Sequence, residues 1–140
     1  MSAGSKKFFD TNVLLYLLSA DSARAQRAEE LVAQRGWVSV QVLNEFASVA
    51  ARKLRMPLSE IRECLEPIRS ICSVEPITVE THTRGLEVAE RYNLSIYDAM
   101  IVAAALLARC DTLYSEDLQD GQRFDELVVR NPFKTRRRDT

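Results

Sequence analysis

Short apolar runs alternate with longer stretches in which apolar residues return every three or four positions. Phe8-Phe9, preceded by Lys6 and Lys7, closes a first predicted strand. Trp37-Val38-Ser39-Val40 predicts a second, Cys72-Ser73-Val74 a third, Thr112-Leu113-Tyr114 a fourth and Leu127-Val128-Val129 a fifth. The intervening segments have helical spacing. Residues 13–18 predict a first helix. A second is capped by Asp21, carries Ala25, Ala28, Leu31 and Val32 on one side, and is expected to stop at Gly36. Residues 41–54 bring Val42, Phe46, Val49 and Ala50 to one face. Pro57 interrupts, and Ile61, Leu65 and Ile68 recur in a helix over 58–71 that Pro67 is expected to kink or end early. Thr78 caps a helix with Val79, Leu86 and Ala89, and Asn93-Leu94 ends it. Ser95 caps the most apolar helix, with Ile96, Met100, Ile101, Ala104 and Leu107. Asp120-Gly121 marks a turn.

Strands that alternate with helices, with no hairpin signal between strands, predict an α/β fold with a mostly parallel sheet covered on both faces. Sites in such sheets gather beyond the carboxyl ends of the strands. That geometry gives meaning to four acids. Asp10 and Asp117 follow predicted strands directly, while Glu45 and Asp98 lie in early turns of flanking helices. Four carboxylates at one edge repel one another unless a divalent cation joins them. Oxygen ligands favour Mg²⁺ or Mn²⁺ over zinc, and such ions support phosphoryl-transfer or hydrolysis chemistry.

Each acid also has a structural reading. Asp10 can cap the helix near Val13, and Glu45 can face water. Ser95-Ile96-Tyr97-Asp98 resembles a capping box, and Asp117 can cap a turn. Thr11, Asn12 and Ser115 form a second rank: Asn12 can bond a metal-bound water, and Ser115 can orient Asp117. Gln41 and Asn44 are weaker candidates for the same rim. Glu116 stands beside Asp117 and competes for its role.

Composition narrows the rest. A chain of 140 residues fits one domain, assigned here to 1–133, with a basic and mobile tail over 134–140. The net charge of −1 excludes a strongly basic nucleic-acid coat. It leaves room for a local basic rim of Arg24, Arg27, Arg52, Lys53, Arg55 or the tail arginines Arg136, Arg137 and Arg138. Cys64, Cys72 and Cys110 are odd in number and lack zinc spacing, which suits reduced thiols in the cytoplasm. No secretory leader and no membrane-spanning run is visible. His82 alone, in a polar stretch, fits a surface residue better than a metal-free ribonuclease centre. Ser39, Ser115 and Cys110 lack a histidine partner, and phosphate-binding glycine loops are missing.

Four segments in this order resemble the PIN-domain family, and most of all its VapC-type ribonuclease toxins of type II toxin–antitoxin modules. They are Phe9-Asp10-Thr11-Asn12-Val13-Leu14, Ser39-Val40-Gln41-Val42-Leu43-Asn44-Glu45-Phe46, Leu94-Ser95-Ile96-Tyr97-Asp98-Ala99-Met100-Ile101 and Leu113-Tyr114-Ser115-Glu116-Asp117-Leu118-Gln119-Asp120-Gly121. The resemblance implies a three-layer α/β/α sandwich with a central parallel sheet. It implies a metal-dependent endoribonuclease whose acidic centre is Asp10, Glu45, Asp98 and Asp117, with Asn12 and Ser115 on its rim. Asp117 is preferred to Glu116 because it fits a Ser/Thr-x-Asp form. The implied partners are an RNA substrate, a cognate antitoxin and a second copy in a homodimer. Two rivals remain. In one, the same fold is a non-catalytic RNA- or antitoxin-binding module that uses Leu14, Leu17, Leu18, Val49 and Leu54. In the other, a receiver-like domain carries Asp10 as phosphoacceptor; the absence of an acid pair before Asp10 argues against it.

Overall fold

Strand β1 (Lys7–Phe9) lies at the middle of a six-stranded sheet, paired in parallel with β2 (Trp37–Ser39) on one side and β4 (Thr112–Tyr114) on the other. The computed structural model describes residues 5–134. Sheet order is β3-β2-β1-β4-β6-β5, with β3 spanning Ser73–Glu75, β5 Arg123–Phe124 and β6 Leu127–Arg130. Every pairing is parallel except β5 with β6. Helices α1 (Thr11–Leu15), α2 (Ser22–Ala33), α3 (Val40–Arg52), α4 (Leu58–Ile71), α5 (Val79–Tyr92) and α6 (Ile96–Leu107) complete an α/β/α sandwich. The expected sandwich and largely parallel sheet are therefore present.

The core follows from the strand pattern. Phe8, Phe9, Val38, Leu113 and Val129 are fully buried in the central strands, as expected where helices cover both faces. Helix α6 adds Ala99 and a run of buried residues from Ile101 to Ala105. Its small alanines let it pack closely on its neighbours.

Four local expectations differ from the structure. A hairpin does exist: Phe124 pairs with Leu127 across the two-residue turn Asp125-Glu126. Asp125 takes a left-handed φ of 56°, a conformation that Asp tolerates without glycine. Pro67 neither ends nor shortens α4, which runs to Ile71; Pro67 and Glu63 face solvent, so water can take the carbonyl freed by the missing N–H. Gly36 does not stop α2, which ends at Ala33, while Arg35 adopts the left-handed turn (φ 67°). The predicted first helix divides into α1 and a 3-10 turn, Tyr16–Leu18.

Among the described residues no helix is long and apolar enough to cross a membrane. Of the tail assigned to 134–140, residues 135–140 lie outside the described residues, as do Arg136, Arg137 and Arg138.

Candidate active site

Strand order reverses direction at β1. The chain builds outward through β2 and β3 on one side, then continues from β4 on the other. The crevice between β1 and β4 is thus a topological switch point, where such sheets place their ligands. Asp10 follows β1 and Ser115 follows β4, with Phe9 in register with Tyr114. Asp10 N–H donates to the Tyr114 carbonyl at 3.0 Å, which extends the ladder one residue past the strand.

Asp10 is the centre of this crevice. It is only 5% exposed, yet both carboxylate oxygens are satisfied. Oδ1 accepts the Thr11 N–H at 2.7 Å. Oδ2 accepts the Ser115 hydroxyl at 2.8 Å and, more weakly, Asn12 Nδ2 at 3.4 Å. Burial pushes its pKa from 3.8 to about 6; the bonds from Ser115 and Thr11 hold it down, and the charges of Asp117 and Asp98 push it further up. Those last two contributions place all three acids within electrostatic reach of one another.

Asp98 enters from the first turn of α6, whose N-cap Ser95 accepts the Asp98 N–H at 3.2 Å. Only this half of the expected capping box is formed among the described hydrogen bonds. Its pKa is raised, first by burial and then by Asp117 and Glu45, against a lowering from Ser95. Glu45 enters from the second turn of α3, a helix started by the buried Ser39 hydroxyl on the Val42 N–H. Glu45 accepts Thr11 Oγ1 at 2.9 Å and Gln41 Nε2 at 3.0 Å. Asp117 is exposed, its N–H held by Ser115 Oγ at 3.1 Å. Thr11, Asn12, Glu45, Arg52 and Asp117 line one groove of about 300 Å³.

Glu116 turns away from this group. Arg24 Nη1 meets it at 2.8 Å and the Tyr16 hydroxyl at 2.6 Å. Burial raises its pKa, but the bonds from Tyr16 and Arg24 outweigh that and hold it below the usual value. Asn12 secures the same turn by accepting the Glu116 N–H at 3.0 Å. Tyr16 had no signal in the sequence beyond its place in an apolar helix.

Other candidates separate. Arg24 and Arg27 are committed to structure: Arg24 also lies over the Tyr16 and Phe133 rings, and Arg27 Nε donates to the Pro132 carbonyl. Arg52 stays on the cleft rim, and Lys53 lines an adjacent groove with Leu18, Val49 and Leu54. Leu14 is fully buried and belongs to the core rather than to a partner surface. Asn44 lines a different groove, between α3 and α4. His82 is exposed. Burial pushes the Cys110 thiol up to about 12, which rules it out as a nucleophile at neutral pH.

The donor set suits a hard divalent cation. Its members are carboxylates, and among the described residues none of the ion pairs engages Asp10, Glu45, Asp98 or Asp117. Among the same residues, no three Asp, Glu, His or Cys side chains lie close enough to share one ion. The chemistry fits, then, while the side chains are not drawn into a common shell.

Comparison with known proteins agrees with this architecture. The PIN domain family matches residues 7–126. None of the curated proteins matches the chain. A toxin–antitoxin complex from Klebsiella pneumoniae contains a chain 24% identical, with a TM-score of 0.69 over 93% of this chain and 100% of that one. VapC20 of Mycobacterium tuberculosis, described as a Sarcin-Ricin loop cleaving toxin, is 21% identical, with a TM-score of 0.65 over 80% of this chain and 90% of its own. DNA-bound VapBC from Salmonella typhimurium is 17% identical, with a TM-score of 0.68 over 92% and 99%. At these identities the likeness is one of fold.

Proposed function

The chain belongs to the PIN-domain family, and from that membership we propose that it is a metal-dependent endoribonuclease, the toxin of a type II toxin–antitoxin pair. The observation that carries this reading is the group of carboxylates around the switch-point crevice, whose charges act on one another and which form no ion pair among the described residues. Such a group is costly in a metal-free fold, and a cation offsets that cost.

In this reading Asp10, Asp98 and Asp117 would hold Mg²⁺ or Mn²⁺, and Glu45 would either join them or take a proton from the attacking water. The bound ion supplies charge neutralisation on the phosphate oxygens and a more acidic water. In-line attack of a water on phosphorus would expel the 3′-oxygen and leave the downstream fragment a 5′-phosphate; where Glu45 is not a ligand, it would take that water's proton. Ser115 and Thr11 fix Asp10, and Asn12 fixes the turn that carries Asp117. Arg52 and Lys53 offer phosphate contacts on the rim.

The nuclease unit occupies 1–133 in this proposal, works in the cytoplasm and pairs as a homodimer. A cognate antitoxin is its protein partner, in keeping with the complexes formed by proteins of the same fold. Purified chain is expected to cleave RNA when Mn²⁺ or Mg²⁺ is added, and Asp10→Asn is expected to abolish turnover while keeping the fold. Equal cleavage by both, after contaminating nucleases are removed, would overturn the assignment. Binding of an antitoxin with no cleavage under any divalent ion would favour the binding-module alternative.

A further inference from the structure

Gln41 Nε2 donates to Glu45 Oε2 at 3.0 Å and to the Tyr97 carbonyl at 3.0 Å. Both partners only accept, and an amide nitrogen carries two protons, so each proton has one partner and the amide orientation is fixed. Glu45 lies one turn along α3 from Gln41. Tyr97 immediately precedes Asp98 in the first turn of α6. One neutral side chain therefore joins the two helices that deliver two of the acids.

Glu45 is gripped from the other side as well, because Thr11 Oγ1 holds its second oxygen. Neutral donors orient a carboxylate without cancelling its charge. Glu116 is the contrast within the same molecule: Arg24 neutralises it. Asp98 feels the retained charge of Glu45. The two acids repel, and Gln41 spans α3 and α6 at this end despite that repulsion. Gln41 makes that connection between their polar groups.

We propose that Gln41 is a positioning residue which sets the spacing of Glu45 and Asp98 for a shared divalent cation. The role rests on the functional reading above, and its test separates the two. Mn²⁺ binding is measured by calorimetry on wild type, Gln41→Met, Glu45→Leu and the double variant, with RNA cleavage recorded in parallel. Methionine keeps length and bulk but has no N–H. Groups that orient metal ligands are worth 10–100-fold in affinity or activity. Gln41→Met is expected to weaken Mn²⁺ binding by about 10-fold and to slow cleavage similarly. On the Glu45→Leu background, which has no acceptor oxygen, the same change is expected to have a clearly smaller effect, because only the Tyr97 carbonyl is left for Gln41 to hold. Thermal melting without metal checks the fold, and Gln41→Ala takes the place of an unfolded Gln41→Met.

Unchanged Mn²⁺ affinity in Gln41→Met overturns the positioning role and leaves the nuclease reading standing. An equal loss on both backgrounds also overturns it, since the residue then acts on the fold at large. Gln41-dependent Mn²⁺ binding without RNA cleavage overturns the nuclease reading and supports the positioning role. A wild-type chain that binds no Mn²⁺ overturns both.

Discussion

Ser115 commits its one hydroxyl proton to Asp10. Its oxygen accepts the N–H groups of Asp117 and Leu118 at 3.1 and 3.3 Å, while its O–H donates to Asp10 Oδ2 at 2.8 Å. The residue is fully buried, so water does not replace these bonds. Ser115→Ala removes the strongest hydrogen-bond restraint on the Asp10 pKa and strands two backbone donors. We expect a loss of about 1–3 kcal/mol in urea unfolding and an Asp10 pKa above the wild-type value of about 6. Carboxyl-carbon NMR titration of both proteins measures the shift. An unchanged Asp10 titration would show that the bond contributes nothing to its ionisation.

Asp10 also sets a pH dependence. Its folded pKa of about 6 lies above the ordinary 3.8, so the folded chain holds a proton that the unfolded chain has released. Stability therefore falls as pH rises between those values. Below about pH 3.8 the penalty is absent; above about pH 6 it is complete, on the order of 3 kcal/mol. Without divalent ions, wild type is expected to lose stability relative to Asp10→Asn from pH 4 to pH 7. Added Mg²⁺ is expected to restore it at pH 7 and to do little at pH 4. Parallel stability curves for the two proteins would contradict the burial-driven shift.

Much of this was legible because period and position carry it. Alternation of short apolar runs with helical spacing marked five of the six strands and all six helices, and acids after strands in a parallel sheet must meet at one edge. The strand β5 was not legible: two residues with one buried side chain give no period, and its turn lacks glycine. Nor was the fate of Glu116, which depends on Arg24, 92 residues away in the chain. The Gln41–Glu45 bond has helical spacing and can be read locally, but the Tyr97 carbonyl lies 56 residues further on. Contacts between distant backbone and side-chain atoms leave no pattern in a single sequence.

Adjacent acids are expected to behave differently. Glu116 is taken up by Tyr16 and Arg24, while Asp117 has no cationic partner among the described residues. Glu116→Gln should keep RNA cleavage within about threefold of wild type. Asp117→Asn should lower it by about 100-fold or more, the scale of losing a metal ligand rather than a group behind one. Single-turnover cleavage in Mg²⁺ distinguishes them. The reverse order of losses would move the metal role to Glu116.

Two glycines make the last contrast, and the difference lies in what an added methyl meets. At Gly36 a Cβ would stand 2.7 Å from Phe9 Cε2 and 2.8 Å from the Lys7 carbonyl. Lys7 belongs to a central strand and Phe9 precedes Asp10, so neither has room to yield. At Gly85 on α5 the obstacle is the thioether end of Met100, which rotates readily. Alanine there also favours helix by about 1 kcal/mol. Gly36→Ala is therefore expected to cost about 1–3 kcal/mol and to weaken Mn²⁺ binding by displacing Asp10. Gly85→Ala should change stability by less than about 1 kcal/mol and leave Mn²⁺ affinity alone. Urea unfolding and calorimetry decide the matter, and a Gly36→Ala protein as stable as wild type would show that the β1–β2 contact yields where the packing says it cannot.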